Sequence, residues 1–149
     1  MEFFKIKKRK IGKNNPTFII AEIGLNHNGS LSLCKKLILK AKECGADAAK
    51  LQISDPKYSY NTDTKSYKIF KKNTLSLKDL SKLTSYAKRK KIILFATPGD
   101  FKSLEICKKL KFPAIKISSG LLTNEPLISR CAATKLPLIL STGMAFENE

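Results

Sequence analysis

Five short apolar runs in this sequence end in side chains able to do chemistry. Glu22, followed by Asn26, His27 and Asn28, closes the first, and Lys50 and Gln52 close the second. Thr97 ends the third, Lys116, Ser118 and Ser119 the fourth, and Ser141 and Thr142 the fifth. These polar groups converge at the C-terminal ends of the runs, where enzymes with parallel strands build their sites. Side chains alternate along a strand, so Lys50 and Gln52 share one face, as do Lys116 and Ser118. A lysine flanked by apolar strand residues is costly to bury without an anion. Two at equivalent strand positions leave two readings open: each reaches out to water along its stem, or both hold one anion. Glu22 is equally open between catalysis and capping a loop. His27 is the only histidine in the chain, and a hydrogen bond that orders its loop is favoured over metal ligation. Ser119–Gly120 and Ser141–Gly143 also suit plain turns. The Gly-containing loops lack the glycine spacing of a P-loop or of a dinucleotide fingerprint.

The elements that must carry these groups alternate. Thr17–Gly24 is an apolar strand, and Leu31–Cys44 places Cys34, Leu37, Ile38 and Ala41 at helical spacing before a terminating Gly45. Ala46–Gln52 is the second strand, and Ser76 with Asp79 forms a capping box ahead of Leu80, Leu83 and Ala87. Lys91–Thr97 follows as a strand, and Asp100 caps a helix bearing Leu104, Cys107 and Leu110. Phe112–Ser118 is the fourth strand, Asn124 and Pro126 open a helix with Leu127, Ile128 and Cys131, and Pro137–Thr142 is the fifth. Five strand–helix repeats predict an α/β fold with a parallel sheet covered on both faces, either an open doubly wound sheet or part of a (β/α)8 barrel. Phe3–Gly12 is expected to form a small hairpin. Ile53–Leu75 is a long polar connection of a length that suggests function.

Composition narrows the classes. At 149 residues and 42% hydrophobic, with no long apolar tract, the chain reads as one soluble domain. Its beginning lacks the apolar core of a secretory signal, so the cytoplasm is the expected location. Cys34, Cys44, Cys107 and Cys131 fall singly in helical segments and read as small apolar core residues. The net charge of +17 would suit a polyanionic partner. Against nucleic acid, only Arg9, Arg89 and Arg130 are arginines, and the lysines are scattered without interleaved aromatics. A solvated basic surface that draws in anionic substrates is the favoured reading.

The motifs AEIGLNHNG (21–29), AAKLQ (48–52), FATP (95–98), IKISSG (115–120), LTNEPLI (122–128) and LILSTGM (138–144) occur in that order. In that combination the chain resembles the sialic acid synthase family, which includes synthases of legionaminic and pseudaminic acids and spore-coat polysaccharide proteins. The resemblance runs from about Phe18 to Met144. It implies the N-terminal part of a TIM barrel, a cytoplasmic synthase of nonulosonic acids, and a divalent metal, Mn2+ or Mg2+. In the implied reaction, C3 of phosphoenolpyruvate attacks the open-chain aldehyde of an N-acylated amino sugar, N-acetylmannosamine or a diacetamido hexose. Water adds at C2 and phosphate leaves. By resemblance Lys50 and Lys116 bind the phosphoenolpyruvate anion, Thr97 and Ser119 donate hydrogen bonds to it, and Gln52 contacts the sugar. Glu22 is the implied catalytic group, orienting or deprotonating a water beside the metal, and Asn26, His27 and Asn28 support the rim.

The sequence departs from the family pattern in two places. Leu121 stands where the family usually carries Asp or Glu. The chain ends after the fifth strand, whereas the family's metal-binding histidines lie on later strands and a C-terminal antifreeze-like domain follows, so no metal ligand is assigned here. Three functions follow as expectations: a synthase half that is a truncated gene product or works with a separately encoded second half, a non-catalytic remnant that binds phosphoenolpyruvate or sugar, and a basic polyanion-binding protein. The protein partners expected are a complementing C-terminal fragment or a second copy in a homo-oligomer. Neither a membrane nor nucleic acid is the expected partner.

Overall fold

A computed structural model describes residues 3–143, 145 and 146. Met144, the last residue of the LILSTGM motif, and the chain end at Glu149 lie outside the described residues. The hairpin is present: β1 (Phe3–Ile6) pairs antiparallel with β2 (Arg9–Gly12). Five parallel strands then form one sheet, β3 (Ile20–Gly24), β4 (Ala48–Ile53), β5 (Ile93–Pro98), β6 (Ile115–Ile117) and β7 (Leu138–Leu140), each beside its successor. A doubly wound sheet reverses its strand order at a switch point, whereas a barrel adds strands in sequence. The unbroken order β3 to β7 is therefore that of a partial barrel.

Between the strands run α1 (Leu31–Glu43), α2 (Pro56–Ser59), α3 (Lys65–Asn73), α4 (Leu77–Arg89), α5 (Phe101–Lys109) and α6 (Glu125–Ala133). Side chains satisfy the free amides that open these helices. Ser30 accepts from Leu33 N–H at 3.2 Å, and Asn124 from Leu127 N–H at 3.2 Å. Ser76 Oγ accepts from Asp79 N–H at 3.1 Å while donating to Asp79 Oδ2 at 2.7 Å. Gly45 ends α1 at φ 84, a left-handed conformation that costs a glycine little. Cys34, Ile38 and Ala41 of α1 and Leu80, Leu83 and Ala87 of α4 bury one stripe each against the sheet. Each fully buried leucine there contributes about 1.5–3 kcal/mol. A second cluster of Leu104, Ile115, Ile117, Leu127 and Cys131 packs α5 and α6 under the last strands.

Some boundaries differ from the sequence reading. The fourth strand is three residues long, because Pro113 has no N–H to give a ladder, so Phe112 and Ala114 are buried ahead of the pairing. The connection 53–75 carries α2 and α3, opened by Asp55 and Thr64 and anchored by the buried Tyr67. Cys34, Cys107 and Cys131 are core residues, but Cys44 is exposed at the end of α1.

Asp100 ties this connection to the rim. Its carboxylate, in a residue only 8% exposed, accepts from Asp55 N–H (2.7 Å), Ser54 Oγ (3.2 Å), Ser103 N–H (2.8 Å) and Ser103 Oγ (2.9 Å). Asp100→Ala removes a helix cap and strands two backbone donors, so it should cost roughly 2–4 kcal/mol in urea unfolding. Asp79→Ala, at an exposed cap, should cost about 1 kcal/mol or less. Equal losses would show that Asp100 is only a cap.

Candidate functional site

The ladder decides which side chains meet. Glu22 pairs with Lys50, Lys50 with Phe95, and Gln52 with Thr97. Ala96 pairs with Ile115, which brings Lys116 beside Thr97, and Lys116 pairs with Ile139. Residues opposite one another in a sheet point to the same side, as do residues two apart in one strand. Glu22, Lys50, Gln52, Thr97, Lys116 and Ser141 therefore share the inner face. The two lysines are staggered rather than level: Lys50 sits one layer below Gln52, Thr97 and Lys116, as expected for tilted barrel strands.

Lys50 is 6% exposed. Its Nζ lies 2.7 Å from Glu22 Oε2 and donates to Thr97 Oγ1 at 3.1 Å. This is what a buried ammonium requires, since an unpaired charge in an apolar strand is heavily penalised. A bulge at Ile23 re-aims the strand, so that Gly24, not a side chain, follows Glu22 in the ladder. Gly24 stands at φ 53, and a Cβ there would come within 3.1 Å of Glu22 Oε1. Among the described residues the half-buried Lys116 has only neutral partners, donating to Ile117 C=O at 2.6 Å and to Ser141 Oγ. Its pKa is lowered, first by burial and then by the charge of Lys50, with Glu22 opposing. The two ammonium groups therefore lie in each other's field.

The other predicted residues separate into different settings. Ser119 opens a short 3-10 turn with Gly120 and Leu121 and lies against Gly143; among the described residues no hydrogen bond joins it to either lysine. Leu121 is half-buried against the second core cluster. Gln52 and His27 line a small cavity with Leu25, Asn73 and Leu75. His27 is buried, its Nδ1 accepting from Gly29 N–H at 3.1 Å, and burial lowers its pKa. Asn26 and Asn28 are exposed on the turn that carries it, Asn28 at φ 50. Ser141, noted in the sequence only as a strand-end hydroxyl, joins the site as a partner of Lys116. What marked it was its position two residues beyond Ile139, the ladder partner of Lys116.

No three His, Cys, Asp or Glu side chains among the described residues come together as a metal site. Glu22 is engaged by Lys50 and His27 Nδ1 by Gly29, so these described residues do not fit a metal centre. The site's own groups can hold an anion between two lysines and set a carboxylate beside it.

The sequence model of the NeuB family matches residues 37–149. An uncharacterized protein of Methanocaldococcus jannaschii is 45% identical over 97% of this chain and 43% of its own length. The N,N'-diacetyllegionaminic acid synthase of Legionella pneumophila is 39% identical over 89% of this chain and 41% of its own. The crystal structure of N-acetylneuraminic acid (sialic acid) synthetase from Leptospira borgpetersenii in complex with citrate is 33% identical. It superposes with a TM-score of 0.94 over 98% of this chain and 51% of that one. The chain thus spans less than half the length of these two relatives.

The field of Lys50 on Lys116 can be measured. In Lys50→Met the Lys116 pKa should rise toward 10.5, because a like charge is removed and Glu22 is freed. In the intact protein the lowered folded pKa means that the unfolded chain binds more protons between the folded and unfolded values. Stability attributable to Lys116 should therefore increase as pH rises through that window and stay flat below it. Side-chain NMR of the lysine Nζ reads the first effect, and an unchanged Lys116 titration in Lys50→Met would show that the two ammonium groups are independent.

Proposed function

Because this chain belongs to the NeuB family, we propose that its rim is the phosphoenolpyruvate-binding part of a nonulosonic acid synthase site. The observation that carries the reading is the pair Lys50 and Lys116 on one face, each in the other's field, with Glu22, paired to Lys50, as the one carboxylate joined to either lysine among the described residues. A site with this excess of positive charge suits an anionic enol phosphate. Lys50 and Lys116 hold its phosphate and carboxylate, with Thr97 and Ser119 as donors. Lys116, whose partners are neutral, gains most from the anion.

The reaction forms a bond between C3 of phosphoenolpyruvate and the aldehyde carbon of an N-acylated amino sugar. The aldehyde oxygen takes up a proton, water adds at C2, and the C2–O bond to phosphate breaks. Once the anion engages Lys50, the Glu22 carboxylate is free to orient that water or accept its proton. Gln52, on the same face one layer above Lys50, contacts the sugar in this proposal. A divalent metal belongs to this proposal as a polarising ion, held by parts of the site that these residues do not supply. Turnover accordingly draws on the part of such a site that lies outside these residues. Binding without turnover is the second reading, favoured by Leu121, an apolar residue built into the core at a rim position.

Titrating phosphoenolpyruvate by calorimetry at fixed salt tests the site. Lys50→Met and Lys116→Met should each weaken binding at least tenfold, the loss of about 1.4 kcal/mol or more expected of a charge-assisted contact. Lys36→Met removes the same charge from α1 and should leave affinity nearly unchanged. An equal loss in Lys36→Met would mean diffuse attraction and no site. In a phosphate-release assay with Mn2+, phosphoenolpyruvate and N-acetylmannosamine or a diacetamido hexose, the chain alone should stay at background. Release by the chain alone would contradict the shared-site proposal.

A further inference from the structure

The cavity beside Gln52 contains unfinished hydrogen bonding. Asn73, at the end of α3, is 8% exposed, and its Oδ1 has no partner within the described residues. A buried acceptor left unpaired costs about 1–3 kcal/mol. His27 lines the same cavity, and its Nδ1 accepts from Gly29 N–H. The neutral ring must therefore carry its hydrogen on Nε2, where no protein acceptor is found among the described residues. The space measures about 20 Å3, enough for one water and too small for a substrate group.

The two segments that meet here already touch through their backbones. A Cβ on Gly29, at φ 74, would stand 2.7 Å from Lys72 C=O, so the loop after β3 and the end of α3 lie in close contact. Yet no direct side-chain bond crosses from His27 to Asn73. We infer that one resident water bridges them, accepting from His27 Nε2–H and donating to Asn73 Oδ1, so that His27 and Asn73 pin the β3–α1 loop to the β4–α4 connection. Two such partners lie within the usual range for a buried water.

Solution NMR of the chain tests the water without any substrate. The nitrogen shifts of His27 should report the neutral Nε2–H form, and the Nε2 proton should show a cross-relaxation peak to a long-lived water. Asn73→Leu should abolish that peak and speed exchange of the Gly29 amide by about tenfold, as its acceptor ring loosens. A His27 proton on Nδ1, or no water peak in the unaltered protein, overturns the inference even if the variant fails to fold. So does an Asn73→Leu protein that keeps both the peak and the slow exchange. Loss of phosphoenolpyruvate binding would bear on the proposed function and leave these readouts untouched.

Discussion

A lysine buried at the end of a central strand needs a negative partner, and the rim of this protein is arranged around that requirement. Lys50 lies between Ala49 and Leu51, both in the core, with Phe95 opposite it. Its charge survives there only because β3 delivers Glu22 to the next ladder position and β5 delivers Thr97. The bulge at Ile23 and the left-handed Gly24 leave space for the Glu22 carboxylate. Replacing Glu22 or Thr97 would thus remove a partner from a buried ammonium, although the Glu22 carboxylate itself is 58% exposed and partly screened by water.

The second lysine gives the arrangement a direction. Lys116 has the same inward aspect but no carboxylate of its own in the described structure, and it is raised in energy by burial and by Lys50. The scaffold holds it there by ordinary means: the Ile115 and Ile117 side chains lock β6 into the second core cluster, and Asn124 caps the helix behind it. An anion entering the rim would relieve this repulsion, which is how positive potential built into a rigid frame becomes affinity. The opposing surface lysines do not share this property, because water screens them.

Much of this was legible in the sequence. The alternation of apolar runs with capped helices gave the five strands and the four long helices that separate them, since caps such as Ser76 and Asp100 act locally. The strand ends named Glu22, Lys50, Thr97 and Lys116, because period-two alternation fixes faces. What remained hidden depended on tertiary contact. The stagger of the lysines follows from ladder register, which no local pattern contains. The helices α2 and α3 were concealed by a polar composition whose stability comes from Tyr67 and from the Asp100 hub. Cys44 looked like Cys34 by helical spacing, but it falls at the capping residue, where the helix turns away from the core. Ser141 and Asn73 acquire meaning only from the side chains they meet.

The central claim is that Lys50 and Lys116 form one anion site on the inner face. A crystal structure of the chain soaked with phosphoenolpyruvate tests it most directly. The account predicts one ligand with oxygens within hydrogen-bond distance of both Nζ atoms, Thr97 beside it, and Glu22 withdrawn from Lys50. A ligand bound at surface lysines, or an inner face where the Glu22–Lys50 pair stays closed and Lys116 keeps only Ser141 and Ile117, would contradict it.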